Sequence, residues 1–188
     1  MDALLRRIGD EAGLILIVAI VMLAVALPIL MWRIRAGVGV RSSVWKTGLD
    51  AAVLASLAVI GLLTLGAFHV GGEGAINLVP FQSLFDSFVL GEFWVGIAVA
   101  DLLGNFLLFV PLGLFLGLRF ERLPIWIWTV IAFALTAAIE IVQFVALNRS
   151  ADVTDVVMNG LGGVAGFAGA RLSQRLVRAH RREPAGSS

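Results

Sequence analysis

The chain has 188 residues, of which 60% are hydrophobic and 14% charged, with a mean hydropathy of +0.99. An ordinary soluble domain has about 45–50% apolar and about 25% charged residues, so the composition excludes a water-soluble globule. We expect the apolar excess to face lipid. The net charge of +1 argues against a nucleic-acid partner, which requires a concentrated basic surplus. The absence of cysteine excludes disulfides, thiolate zinc sites and a cysteine nucleophile.

Five stretches are long and apolar enough to cross a hydrocarbon core of roughly 30 Å as helices. They are 13–32, 49–69, 93–118, 124–147 and 153–172. The fifth is short and glycine-rich, and it is counted because an even number of spans fails the charge test that follows. The first could instead be a signal peptide, but the arginines after it are typical of a stop-transfer flank. The sequence therefore predicts an all-α transmembrane helix bundle.

The distribution of Lys and Arg predicts the orientation, because these residues resist translocation. If the chain has five spans, three of the Lys and Arg residues lie on the side of the N-terminus and eleven lie on the other side. We therefore expect an external N-terminus and a cytoplasmic C-terminus, with the connections 70–92 and 148–152 facing outward. The predicted organisation is two N-terminal helices in 1–70, a membrane domain in 71–172 and a basic cytoplasmic tail in 173–188.

Polar side chains recur at helical spacing within three of the predicted spans. Each pair is three or four residues apart and so lies on one helical face; the pairs are Asp101 with Asn105, Glu140 with Gln143, and Asp155 with Asn159. A charge at mid-membrane costs on the order of 2.5–3.5 kcal/mol, so these residues are functional candidates. We expect the carboxylates to converge on an outward recess, with Arg149 as the nearest positive charge.

Structural roles are alternatives for most of these residues. Asp152 and Asp155 suit helix capping, because Asp-x-x-Asp approximates a capping box. Asn105 and Gln143 could simply form hydrogen bonds between helices. Glu140 is deep and far from any predicted helix end, so no such role is expected for it. We recognise no metal or cofactor motif, and we expect neither group.

The outer connection contains a short amphipathic pattern. Pro80 suits a first helical position, and it is followed by an apolar stripe made of Phe81, Leu84, Phe85 and Phe88. The pattern is typical of a helix that lies in the membrane interface. It is either an anchor or a lid, and as a lid it would present Asn77, Phe81 and Gln82 to a ligand.

Small residues recur every four positions in two spans, as Gly113-x-x-x-Gly117 and as Gly162-x-x-x-Gly166-x-x-x-Ala170. Such ridges predict close helix packing and also allow helix-mediated self-association. They do not form a phosphate cradle, because no strand precedes them and no Lys-Ser/Thr follows.

Four linked motifs resemble the VanZ-like family of bacterial membrane proteins. The motifs are Asn77-Leu-Val-Pro80-Phe81, Asn105-Phe-Leu-Leu-Phe-Val-Pro111-Leu-Gly113, Glu140-Ile-Val-Gln143 and Arg149-x-x-Asp152-x-x-Asp155-x-x-x-Asn159-x-x-Gly162. The resemblance covers about residues 77–170, which identifies 71–172 as the VanZ-like domain. It implies an inner-membrane protein of four to five helices linked to resistance to the glycopeptide teicoplanin, without specifying a reaction.

Several functions are open at this stage. The first is binding of an amphiphile, such as a membrane lipid, a lipid-linked cell-wall intermediate or a lipidated glycopeptide. Arg149 would then pair with a phosphate or carboxylate, and the whole ligand-binding set would be Asn77, Phe81, Gln82, Asp101, Asn105, Glu140, Gln143, Arg149, Asp152, Asp155 and Asn159. The second is an enzyme with Glu140 as general base and Asp155 as a second acid or, with Asp152, a cation ligand. The third is a small transporter with a carboxylate relay; alternatively, the stripes only hold the bundle together.

Overall fold

The computed structural model describes residues 23–65, 75–147 and 149–180. A helix, α1, is described over 23–35. It is followed by α2 (Val40–Leu65), β1 (Ile76–Asn77), α3 (Gln82–Leu90), α4 (Glu92–Arg119), α5 (Ile125–Leu147), β2 (Ala151–Asp152) and α6 (Val153–His180). The predicted all-α helical bundle is confirmed. The start of the first predicted span, the end of the second and the C-terminal residues 181–188 lie outside the described residues.

Three helices of the described chain are long and apolar enough to cross a membrane, namely α2, α4 and α5. They correspond to the second, third and fourth predicted spans. The fifth predicted span folds as α6, which has 28 residues like α4 but is not among the three apolar helices. That α6 crosses the membrane therefore stays a prediction.

The chain divides into two compact units, Met1–Ala55 and Ser56–Ser188. Within the first, Arg33 of α1 pairs with Asp50 of α2 at 2.6 Å and donates a hydrogen bond to Thr47 at 2.9 Å. The boundary predicted near residue 70 falls in a stretch outside the described residues, so it too stays a prediction.

Within the second unit, α4 and α6 pack with their backbones in direct contact. A Cβ added to Gly162 would overlap the carbonyl oxygen of Phe106, and one added to Gly113 would overlap that of Gly163. Only residues without a side chain allow helices to approach this closely. The predicted packing role of the small-residue ridges is therefore confirmed.

The other side of α6 packs against α5. Trp128 of α5 donates a hydrogen bond from Nε1 to the carbonyl oxygen of Gly163 at 2.9 Å, and its ring stacks on Phe167 at 5.9 Å between centroids. Phe167 is completely buried. Because α4 and α5 cover α6, this helix needs less apolar surface than a helix surrounded by lipid. This packing explains its high content of glycine and polar residues.

Arg171 of α6 holds the turn between α4 and α5. Its guanidinium donates hydrogen bonds to the carbonyl oxygens of Phe120 at 2.7 Å, Leu123 at 2.6 Å and Glu121. Carbonyl groups at a helix C-terminus lack partners within the helix and interact favourably with a cation. Arg171 thus has a structural role beyond its predicted contribution to membrane orientation. At about 1.5 Å of rise per residue, it lies about 24 Å along α6 from Asp155.

Replacing Gly162 with alanine places a methyl group where the Phe106 carbonyl lies, so α4 and α6 must move apart. We expect this overpacking to lower the free energy of unfolding by about 1–3 kcal/mol, measured as a shift in thermal unfolding in detergent. Gly169→Ala is the matched control, because its Cβ would have nothing within 4 Å among the described residues. Equal stability of the two variants would contradict the packing described here.

Candidate functional site

A short parallel β pair joins the segment before α3 to the start of α6. In this pair Ile76 lies beside Ala151 and Asn77 lies beside Asp152. The Ala151 N–H also donates to the carbonyl oxygen of Ala75 at 2.9 Å. The sequence did not predict this pairing, because two residues per strand are too few for a hydrophobic alternation to be recognised.

Asp152 is the N-cap of α6 and also anchors the segment 75–81 that precedes α3. Its Oδ1 accepts the Thr154 N–H at 2.7 Å, and its Oδ2 accepts the side-chain amide of Asn77 at 2.9 Å. The first contact is the helix-capping role that was left open. Asn77 in turn accepts the N–H of Val79 at 3.0 Å, which forms a local turn. One carboxylate oxygen of Asp152 therefore caps α6, and the other holds the side chain of Asn77.

Glu140 of α5 also binds the start of α6. It is 5% exposed, and its Oε2 accepts the Asp152 N–H at 3.1 Å. In a capping box this N–H is bonded by the third residue of the same helix, here Asp155; Glu140 takes that role from a different helix. The expectation that Glu140 lies far from any helix end is therefore wrong, since it lies at the N-terminus of α6, where the helix dipole stabilises a carboxylate.

Asp155 contacts α4, because Glu140 accepts the N–H that Asp155 would bond in a capping box. The side-chain amide of Asn105 donates to its Oδ1 at 2.5 Å, across the α4–α6 interface. Asp155 also interacts electrostatically with four charged side chains, those of Glu140, Asp101, Asp152 and Arg149. The structure thus brings together carboxylates from three helices. We call Asp101, Asn105, Glu140, Arg149, Asp152 and Asp155 the polar cluster.

Arg149 and Gln143 both bind α2. The Arg149 Nη1 and the Gln143 Nε2 both donate to the carbonyl oxygen of Thr64, each at 2.9 Å. Thr64 is the penultimate residue that the structure describes in α2. Gln143 is buried. Its bond to Thr64 is the hydrogen bond between helices that the sequence suggests as its structural role.

Asn159 lies one helical turn after Asp155 on α6. It is 2% exposed, and no hydrogen-bond donor among the described residues reaches its Oδ1. Side chains on a helix tilt toward its N-terminus, so Asn159 extends toward Asp155 and the polar cluster. Buried acceptors without a donor are uncommon in native proteins.

An exposed apolar helix adjoins the polar cluster. The N–H of Phe81 donates to Thr154 Oγ1 at 2.9 Å. The predicted short helix is present as α3, although it begins at Gln82 and not at Pro80. Its location in a membrane interface stays a prediction. Within its apolar stripe, Phe85 and Phe88 are 62% and 64% exposed. Gln82 is exposed as well, and the structure shows no side-chain hydrogen bond from it to another described residue. Phe81 itself has φ 62°, which is uncommon outside glycine.

The fold and this arrangement define an α-helical membrane protein that carries converging acidic and amide groups near one end of a helix bundle. A family model described as VanZ/LLP1 matches residues 14–174, and the chain belongs to the VanZ/LLP1 family. Among curated relatives, Protein VanZ of Enterococcus faecium is 28% identical over 106 residues. The match spans 56% of this chain and 56% of that relative, just over half of each. No solved structure matches this chain.

The two contacts of Asp152 can be separated by substitution. Asp152→Ala removes the N-cap, at a cost of about 1 kcal/mol, together with the Asn77 contact. We expect faster amide hydrogen exchange in both 75–81 and 153–156. Asp152→Asn retains a good cap, so its effect should be confined to 75–81. Asp86→Ala, at an exposed position on α3, is the control. Unchanged exchange in 75–81 for both Asp152 variants would contradict the anchoring role.

Proposed function

We propose that this protein is a multi-pass protein of the bacterial inner membrane that binds an amphiphile at an outward-facing polar site, and that this binding links it to glycopeptide resistance of the teicoplanin type. The observation that supports the proposal is the junction between the polar cluster and the exposed apolar helix α3. Hydrogen bonds from Asn77 to Asp152 and from Phe81 to Thr154 join the two. An amphiphile has the same combination, because its polar headgroup is joined to an apolar acyl chain.

The ligand's polar end would contact the polar cluster from the side of Asp101, Asn105 and Asp155, with Asn159 below them. Its acyl chain would lie along Phe85 and Phe88. A membrane lipid, a lipid-linked cell-wall intermediate or the acylated part of a glycopeptide has this form. Arg149 would bind a phosphate or carboxylate through the guanidinium N–H groups that do not bond Thr64.

In the alternative hypothesis of an enzyme, Glu140 is the general base. The hydrogen bond that Glu140 accepts from the Asp152 N–H supports a positioning role at the start of α6 instead. Asp155 is then the carboxylate better placed to meet a ligand, since its described hydrogen bond comes from one side-chain amide. No separate observation favours the enzyme or the transporter over binding.

We further propose the orientation in which the polar cluster is extracytoplasmic and the C-terminus cytoplasmic. Asp155 and Arg171 lie about 24 Å apart along α6, so the acidic and basic groups lie near opposite ends of this helix. Arginines concentrate on the cytoplasmic side of membrane proteins, which supports a cytoplasmic location for the Arg171 end.

Because the chain has no cysteine, the orientation can be tested with single introduced cysteines. Ser150 and Ser42 are both exposed and are assigned to opposite sides. A membrane-impermeant maleimide added to intact cells should label Ser150→Cys and should label Ser42→Cys only after the membrane is opened. Labelling in the reverse order would overturn the orientation.

Binding can be tested by mass spectrometry of lipids that co-purify with the full chain. Asp155→Asn keeps an acceptor for Asn105 but removes the charge, so the variant should accumulate normally. We expect it to lose the specifically bound species by roughly tenfold or more, the value of a charged hydrogen bond of about 1.5–3 kcal/mol, and to lose any teicoplanin phenotype in a sensitive host. Asp86→Asn removes an exposed charge on α3 and should behave as wild type.

An identical set of co-purifying lipids in wild type and Asp155→Asn would contradict the proposal. Failure of Asp155→Asn to accumulate, with Asp86→Asn unaffected, would instead support a purely structural role for the polar cluster.

A further inference from the structure

The charges in the polar cluster are unbalanced. Among the described charged side chains that act on Asp155, three are carboxylates and one is a guanidinium. Even without Asp101, the carboxylates of Glu140, Asp152 and Asp155 outnumber the single guanidinium of Arg149. Excess like charge in a poorly hydrated site is costly unless an opposite charge compensates it.

A buried hydrogen-bond acceptor beside these carboxylates also lacks a donor. Asn159 Oδ1 is buried and has no donor among the described residues, and an unsatisfied acceptor of this kind is costly. Among the described donors of the polar cluster, Asn105 Nδ2 bonds Asp155 and Arg149 Nη1 bonds Thr64, so neither atom bonds Asn159. The face of α6 that carries Asp155 and Asn159 therefore has an acceptor to be satisfied beside an excess of carboxylates.

We propose that the amphiphile carries an ammonium group, and that this group binds between the carboxylate of Asp155 and the amide oxygen of Asn159. The inference rests on the proposed function and specifies the charge of the headgroup. An ammonium group provides a positive charge and up to three N–H donors at once, and its hydrogen bonds to a carboxylate are about twice as strong as neutral ones.

An organic cation fits this site better than a bare metal ion. No group of three His, Cys, Asp or Glu side chains within the described residues is placed to hold a metal. An ammonium group needs only two or three acceptors on one side, and its attached chain can continue toward the exposed ring of Phe85 or Phe88. The apolar stripe of α3 and the acceptors on α6 would then bind two parts of one molecule.

The test uses two probes that share a dodecyl chain and differ in charge, n-dodecylammonium and N-dodecylacetamide. Each is titrated into the full chain in a neutral maltoside detergent, and affinity is measured by calorimetry. We expect wild type to prefer the ammonium probe by about tenfold or more. The preference should disappear in Asp155→Asn, decrease in Asn159→Leu and persist in Asp86→Asn, which controls for non-specific attraction of the cation.

Several outcomes would overturn the inference. If both probes bind wild type equally and Asp155→Asn weakens both, the amphiphile-binding function stands, but protons rather than an ammonium group balance the carboxylates. If Mg²⁺ alone stabilises wild type but not Asp155→Asn, and the ammonium probe shows no preference, the site binds a metal ion. If neither probe binds wild type, the inference and the proposed function both fail.

Discussion

The separation between α4 and α6 is the constraint on which the candidate site depends. Glycines remove the side chains from this interface, so that carbonyl oxygens occupy the space where a Cβ would be. At this separation the short side chain of Asn105 reaches Asp155 at 2.5 Å. A wider interface would break that hydrogen bond and leave a carboxylate without its donor inside the bundle, which is strongly destabilising. The helix packing therefore creates the polar contact.

The N-terminus of α6 is the second organising element. The first N–H groups of a helix have no partner within it, and two at this end are bonded by side chains: Glu140 accepts the N–H of Asp152, and Asp152 accepts the N–H of Thr154. Thr154, in the same turn, accepts the N–H of Phe81, and Asp152 accepts the amide of Asn77. One end of α6 thus fixes α5, the segment 75–81 and the start of α3 relative to one another. Residues proposed to bind a ligand also hold the fold together.

The sequence predicts features that depend on local periodicity. The long apolar helices, the glycine ridges and the polar stripes all follow from spacings of three or four residues. The sequence does not predict partners that lie far apart in the chain. Asn77 and Asp152 are 75 residues apart, and the carbonyl groups bound by Arg171 precede it by about 50. Glu140 was misjudged for the same reason, because a helix end may belong to another helix, as the start of α6 does here.

The strength of these connections differs along the molecule, and under the proposed function this difference would govern how a bound molecule exchanges. Moving α4 from α6 would break the glycine packing and the carbonyl contacts of Arg171. Moving 75–81 from α6 breaks only a few hydrogen bonds, each of which contributes about 0.5–1.5 kcal/mol, and it releases the strained backbone of Phe81. Local detachment of this segment therefore requires less free energy than separating α4 from α6. The residence time of a ligand at the polar cluster would then be set by the rate at which 75–81 detaches rather than by movement of whole helices.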